Sequence, residues 1–86
     1  MYRLTIRKHA IKTLRRMRPR DASRVRSELD KLAQNPGSRE IDVKPLRGRP
    51  GFRIRVGPWR VIFEQNEETR IIDVLRIGPR GDTYKG

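Results

Sequence analysis

Apolar and polar positions along this chain change period twice. Tyr2, Leu4 and Ile6 alternate with polar residues and predict a short first strand. From about residue 7 to 17, Ala10, Leu14 and Met17 recur at helical spacing, with Ile11 beside them. Pro19 stops that helix and sits near the start of the next. The second helix is expected from about Asp21, as N-cap, through Ala22, Val25, Leu29 and Leu32, and Asn35-Pro36-Gly37 ends it. Residues 36–51 read as irregular, with a short extended piece around 41–43. Strands follow at about 52–56, 59–65 and 70–77, separated by Gly57-Pro58 and by residues 66–69. Residues 78–84 read as loop. The order β-α-α-β-β-β predicts a single α+β domain over residues 1–86. A helical hairpin should pack on one face of a small, mostly antiparallel, twisted sheet.

The segment Phe52-Arg53-Ile54-Arg55-Val56 carries the most information. One parity is all apolar and the other all cationic. A strand sends successive side chains to opposite faces. One face therefore enters the core and the other presents guanidinium groups from a rigid platform, suited in shape and charge to phosphate. With Gly57-Pro58 as a two-residue loop, Val56 pairs with Trp59, Arg55 with Arg60 and Ile54 with Val61. Phe52, Ile54, Val56, Trp59, Val61 and Phe63 then share a face. The same register sets Arg55 against Arg60. Like charges directly opposite destabilise a sheet, by up to roughly 1 kcal/mol. Glu64 or Asp73 could supply the counter-charge, and so could a ligand's phosphate. The plainer alternative is a solvated face whose arginines splay apart.

Composition sharpens this picture. Twenty-two Lys/Arg, seventeen of them arginine, stand against ten Asp/Glu in 86 residues, a net charge of +12. Residues 1–41 hold twelve of the basic and four of the acidic residues. Such a field attracts nucleic acid or an acidic protein. The helical arginines, among them Arg15, Arg16, Arg18, Arg20, Arg24 and Arg26, suit backbone contact as well as a solvated face. No cysteine is present, and His9 is the one histidine. Disulfides and thiolate metal sites are thereby excluded, and neither a metal nor a cofactor is expected. No apolar run is long enough to span a membrane, so a cytoplasmic protein without membrane contact is expected.

Candidate chemistry is sparse outside the arginines. His9 reads as a helix residue with no carboxylate placed to orient it. Trp59, Phe52 and Phe63 could stack bases, but their parity makes them core residues first. Tyr84 follows Gly81-Asp82-Thr83 where no core pattern demands it. It suits base stacking or proton transfer, and equally a C-terminal anchor. Lys44, Arg47 and Arg49 in the irregular segment are candidates for holding nucleic-acid backbone.

Two segments resemble a known family. Leu46-Arg47-Gly48-Arg49-Pro50-Gly51-Phe52-Arg53-Ile54-Arg55-Val56-Gly57-Pro58-Trp59-Arg60-Val61-Ile62-Phe63 resembles the central segment of the RelE/ParE toxin superfamily, and Asp73-Val74-Leu75-Arg76-Ile77-Gly78-Pro79-Arg80-Gly81-Asp82-Thr83-Tyr84-Lys85 resembles its ending. The resemblance extends over essentially the whole chain. It implies the toxin of a type II toxin–antitoxin pair. In the RelE-like branch this means a ribosome-dependent endoribonuclease that cuts mRNA in the A site. Carried over by position, the implied catalytic set is Arg53, Arg55, Arg60, Arg80 and Tyr84. The implied partners are a cognate antitoxin, the ribosome and mRNA, with operator DNA reached only through the antitoxin. Positions 53 and 55 are often lysine in the ribonuclease members and are arginine here, which is a poor general acid or base. No further C-terminal helix is expected after Tyr84. Two other readings remain: a ParE-like inhibitor that binds DNA gyrase without catalysis, and a member serving mainly as its antitoxin's co-repressor.

Overall fold

Proline decides where the two helices part. The computed structural model describes residues 1–79. After β1 (Arg3–Ile6), α1 spans Lys8–Arg16 and α2 spans Pro19–Gln34. Met17 and Arg18 between them are extended, with ψ of 155° and 143°. A residue before proline is pushed out of the helical region. Proline itself suits the first helical position, where its missing N–H costs nothing. The N-cap of α2 is therefore Arg18, and not Asp21 as the sequence reading expects. Asp21 lies in the first turn, where its charge favours the positive helix end.

The remaining elements are strands: β2 (Asp42–Pro45), β3 (Phe52–Val56), β4 (Trp59–Asn66) and β5 (Ile71–Pro79). All five strands form one sheet in the order β1-β5-β4-β3-β2. β1 runs parallel to β5, and the other pairings are antiparallel. The α+β class and the helical hairpin on one sheet face are as predicted. The sheet has one strand more than expected, because the extended piece near residue 42 is a true edge strand. Lys44 accordingly lies on β2 and not in a loop. The strand β5 also continues through Gly78 to Pro79.

Helices and sheet share one core. Ala10 and Leu14 of α1 and Val25, Leu29 and Leu32 of α2 pack against Ile54, Val56, Val61, Phe63, Ile72, Val74 and Ile77. Phe52 and Phe63, opposite each other across β3 and β4, stack with centroids 5.6 Å apart. The β5 ladder contains a bulge: Ile62 faces Arg76, but Phe63 faces Val74, leaving Leu75 without a counterpart. The extra residue resets parity. It lets Ile77 at one end and Val74 and Ile72 at the other all point into the core.

The parallel β1–β5 seam is closed on the face away from the helices. Thr5 donates to Asp73 Oδ1 at 3.0 Å, and Arg7 donates from Nε and Nη2 to Oδ2 at 3.1 and 2.9 Å. The bond from Arg7 chiefly holds the Asp73 carboxyl below its ordinary range; partial burial opposes this and Thr5 adds to it. A carboxyl whose folded pKa is lowered stabilises the fold above its unfolded value, near 3.9, and loses that contribution as pH falls through the folded value. In urea melts, the stability gap between the parent and Asp73→Asn should be full at neutral pH and should shrink as the pH falls below about 4. A gap independent of pH would assign Asp73 a packing role instead.

Candidate nucleic-acid interface

The hairpin register sets the geometry of the face opposite the helices. Gly57 has φ of 58° and occupies the first position of the two-residue turn, where a hairpin of the II′ kind needs a positive φ. A side chain there would also meet Arg24 Nη1 at 3.0 Å. The resulting pairs are Val56 with Trp59, Arg55 with Arg60, Ile54 with Val61, Arg53 with Ile62 and Phe52 with Phe63. This is the predicted register, and it puts Arg53, Arg55 and Arg60 on the face away from the core.

On that open face, side chains line up in rows across the strands. Asp42, Arg55, Arg60 and Gly78 form the row nearest the turn. Lys44, Arg53, Ile62 and Arg76 form the next. Beyond the bulge, Glu64 faces Asp73, which faces Thr5.

The counter-charge for the arginines is neither Glu64 nor Asp73. Asp73 is engaged by Arg7 and Thr5, and Glu64 lies in the third row. Asp42, on the edge strand that the sequence reading left weakly defined, takes that place. Its Oδ1 lies 3.3 Å from Arg53 Nη1 and its Oδ2 lies 3.4 Å from Arg55 Nε. Arg53 also donates to the Asp42 carbonyl at 3.2 Å. One carboxylate thus serves two guanidinium groups.

Arg60 differs from the solvent-splayed side chain that the plainer alternative requires. It is only 7% exposed. Its guanidinium turns back over the hairpin, and Nη1 donates to the carbonyls of Gly57 at 3.3 Å and Trp59 at 3.2 Å. These bonds fix the group in place, and its neighbour across the ladder on β5 is Gly78, which brings no side chain. Arg55, by contrast, keeps 55% of its side chain exposed.

The sheet therefore gathers Arg53, Arg55, Arg60 and Lys44 on one surface. Arg47 and Arg49 are exposed in the β2–β3 loop, at the far end of β3 from the Gly57-Pro58 turn. Arg80 and Tyr84 lie outside the described residues. Two residues of the open face escape a reading by alternation alone. Asp42 does so because a short strand with one apolar residue gives no period, and Arg76 because the bulge beside it breaks the alternation of β5. Trp59 packs against the core cluster, as its parity requires. Among the described residues no three His, Asp or Glu side chains stand together as a metal site, and no helix is long and apolar enough to cross a membrane.

Chemically, among the described residues, this is a set of guanidinium donors with one carboxylate, Asp42, paired to it. Such donors are preorganised for an oxyanion, since no reorganisation is needed when charge arrives. Fold and face together define a small α+β domain with an arginine-rich open sheet face. The chain belongs to the ParE toxin family of type II toxin–antitoxin systems, whose family model matches residues 4–84. A relative named RelE1 from Methanocaldococcus jannaschii is 29% identical over 86 residues, covering 98% of this chain and 96% of the relative. The toxin in the archaeal RelE–RelB complex from Pyrococcus horikoshii superposes with a TM-score of 0.81 at 31% identity, covering 93% of this chain and 96% of that one. A chain of the RelBE2 toxin–antitoxin complex of Mycobacterium tuberculosis shares the fold, with a TM-score of 0.77 at 24% identity over 92% of this chain and 98% of that one.

Asp42→Asn should lower stability in urea melts by up to about 1 kcal/mol, because Arg55 and Arg60 then face each other uncompensated. The same variant should leave a heparin column at higher salt than the parent. In a double-mutant cycle the cost of Asp42→Asn should fall once Arg60 is alanine. An unchanged cost would show that Asp42 does not compensate the pair.

Proposed function

We propose that this toxin is an endoribonuclease that cuts mRNA on the ribosome, using the open sheet face to hold the scissile phosphate. The observation that carries this reading is the fixed group of Arg53, Arg55 and Arg60 opposite the core, with Asp42 as the carboxylate paired to it. The RelE names of the relatives support the same branch.

In the proposed reaction the ribose 2′-oxygen attacks the adjacent phosphorus and loses its proton. The P–O5′ bond breaks, and the leaving 5′-oxygen takes up a proton. Charge grows on the non-bridging oxygens, where Arg55 and Arg60 donate; such preorganised donors are each worth about 2.7–4 kcal/mol in favourable cases. Arg53, tied to Asp42, orients the backbone. Arginine stays protonated at any working pH, so it stabilises charge and does not shuttle protons. Tyr84 enters through the family resemblance alone, with Arg80, as the group that stacks on a base or moves a proton. Little general acid–base chemistry remains, so most of the rate would come from alignment, with the ribosome helping to position the substrate.

A second reading has an observation in its favour, the ParE description of the matching family model. On that reading the same face binds DNA gyrase and no bond is cut. Mapping mRNA 5′ ends after expression separates the two. Cuts within translated codons support the first, and supercoiling defects with intact mRNA support the second.

The partner that restrains the toxin is a cognate antitoxin, as in the complexes formed by its structural relatives. The hairpin of α1 and α2 offers it a seat. A cavity of about 340 Å³ there is lined by Ile6, Ile11, Leu14 and Ala22, with Arg15 and Arg26 on its margins. An amphipathic acidic segment fits such a groove by both burial and charge.

Arg60→Ala should leave a folded protein that no longer stops growth or cuts mRNA, whereas an unfolded variant would make Arg60 structural. If Tyr84 only stacks, Tyr84→Phe should cut nearly as well as the parent and Tyr84→Ala should not, since stacking is worth about 1–3 kcal/mol per base. Equal loss in both would assign proton transfer. Purification from the native operon should yield a second small acidic protein whose association slows as salt rises. Elution of the toxin alone would remove the partner from the account.

A further inference from the structure

The open face is not uniformly cationic. Among the described residues, its two rows nearest the hairpin turn hold Arg55, Arg60, Lys44 and Arg53, with Asp42 as the carboxylate bonded to Arg53 and Arg55. The third row reverses sign: Glu64 on β4 sits directly opposite Asp73 on β5. Arg7 bonds to Asp73 and meets its charge, and the same guanidinium attracts Glu64, which leaves the row with one carboxylate in excess. Glu64 is exposed, and Gly51 beside it brings no side chain that would shield it.

Rows on one face of a strand are about 7 Å apart, which is less than the screening length of about 8 Å at physiological salt. A polyanion running along the strands would pass from the arginine rows straight over Glu64. One running across the strands, from β2 toward β5, would stay over the two rows that hold Lys44, Arg53, Arg55 and Arg60. We infer that Glu64 is a specificity-determining residue that confines bound RNA to a path across the strands at the hairpin end. The inference rests on the nucleic-acid reading of this face and adds a direction and a boundary to it. The footprint is then set by the width of the sheet from β2 to β5, about three strand spacings of 4.7–4.9 Å. A segment that short holds only a few phosphates.

The test is equilibrium binding of the full chain to single-stranded oligoribonucleotides of four and twelve residues, with 2′-O-methyl substitution throughout to block cleavage, over a range of salt. For single strands, the slope of log affinity against log salt is about −0.7 per neutralised phosphate. For the parent, this slope should be the same for both lengths, because the boundary ends the track early. In Glu64→Lys, the twelve-residue ligand should gain about one phosphate's worth of slope, near −0.7, and bind at least tenfold tighter. The four-residue ligand should change little. Glu64→Gln should tighten binding of the longer ligand without adding slope. Glu64 is exposed and outside the core, so both variants should fold. If Arg55→Ala weakens binding of both ligands while Glu64→Lys leaves slope and length dependence unchanged, the boundary is overturned and the nucleic-acid reading survives. If neither substitution moves RNA binding, the nucleic-acid reading itself fails and takes the boundary with it.

Discussion

Everything distinctive about this molecule depends on two arginines being forced to face each other across a β-ladder. The hairpin cannot slip to separate them. A shift of one residue would turn Ile54, Val61 and Phe63, which are fully buried, out to solvent. Losing one such side chain from a core costs about 2–5 kcal/mol, several times the repulsion between two like charges at the sheet surface. The core therefore wins, and Arg55 and Arg60 stay opposed. The remaining devices relieve that strain locally. Asp42 supplies a carboxylate from the edge strand, and the hairpin carbonyls of Gly57 and Trp59 accept from Arg60. Glycine at position 78 keeps the far side of Arg60 clear.

This dependence explains what could be read from the sequence. The β3–β4 hairpin was fully legible, because strict alternation, a Gly-Pro turn and a one-sided core all specify a single register. The helical hairpin was legible for the same kind of reason, a narrow apolar stripe broken by Pro19. Less legible was β2. In Asp-Val-Lys-Pro only Val43 carries a strand signal, and the strand exists because β3 offers it a ladder. Edge strands tolerate proline and charge, so intrinsic preference says little about them. The extended piece expected around residues 41–43 carries no pairing of its own, so alternation alone does not bring Asp42 to the arginines. The bulge at Leu75 hid Arg76 in the same way, since one unpaired residue exchanges inside for outside along the rest of β5. Local pattern identified the face, but long-range pairing decided which charges meet on it.

Arginine in place of lysine has a physical consequence here. A lysine opposite Arg60 could shed its proton under the field of its neighbours and relieve the repulsion. Arginine cannot, so the positive charge at this site is permanent. Permanence suits a site that holds phosphate and is a disadvantage for one that must take up or release protons. On the proposed mechanism this divides the labour: the sheet supplies charge, and proton movement falls to groups beyond it.

The same permanence constrains how such a protein is kept inactive. Among the described residues the open face carries an excess of positive charge that an external anion would fill. Any ligand that binds the native state alone stabilises it in proportion to the logarithm of its concentration over its dissociation constant. An antitoxin that brought carboxylates to Arg53, Arg55 and Arg60 would therefore gain affinity from the unfavourable charge pairing that the core enforces. RNA would draw on the same source, so the two would exclude each other by competing for one set of guanidinium groups. A segment seated only in the α1–α2 groove would add affinity without closing the face, because the groove and the arginines lie on opposite sides of the sheet. A partner that used both surfaces would have to be long enough to reach around the sheet, with its acidic portion on one side and its apolar portion on the other. A chain that long has little core of its own to protect it, so it would fold largely on the toxin and be exposed to proteolysis whenever it let go.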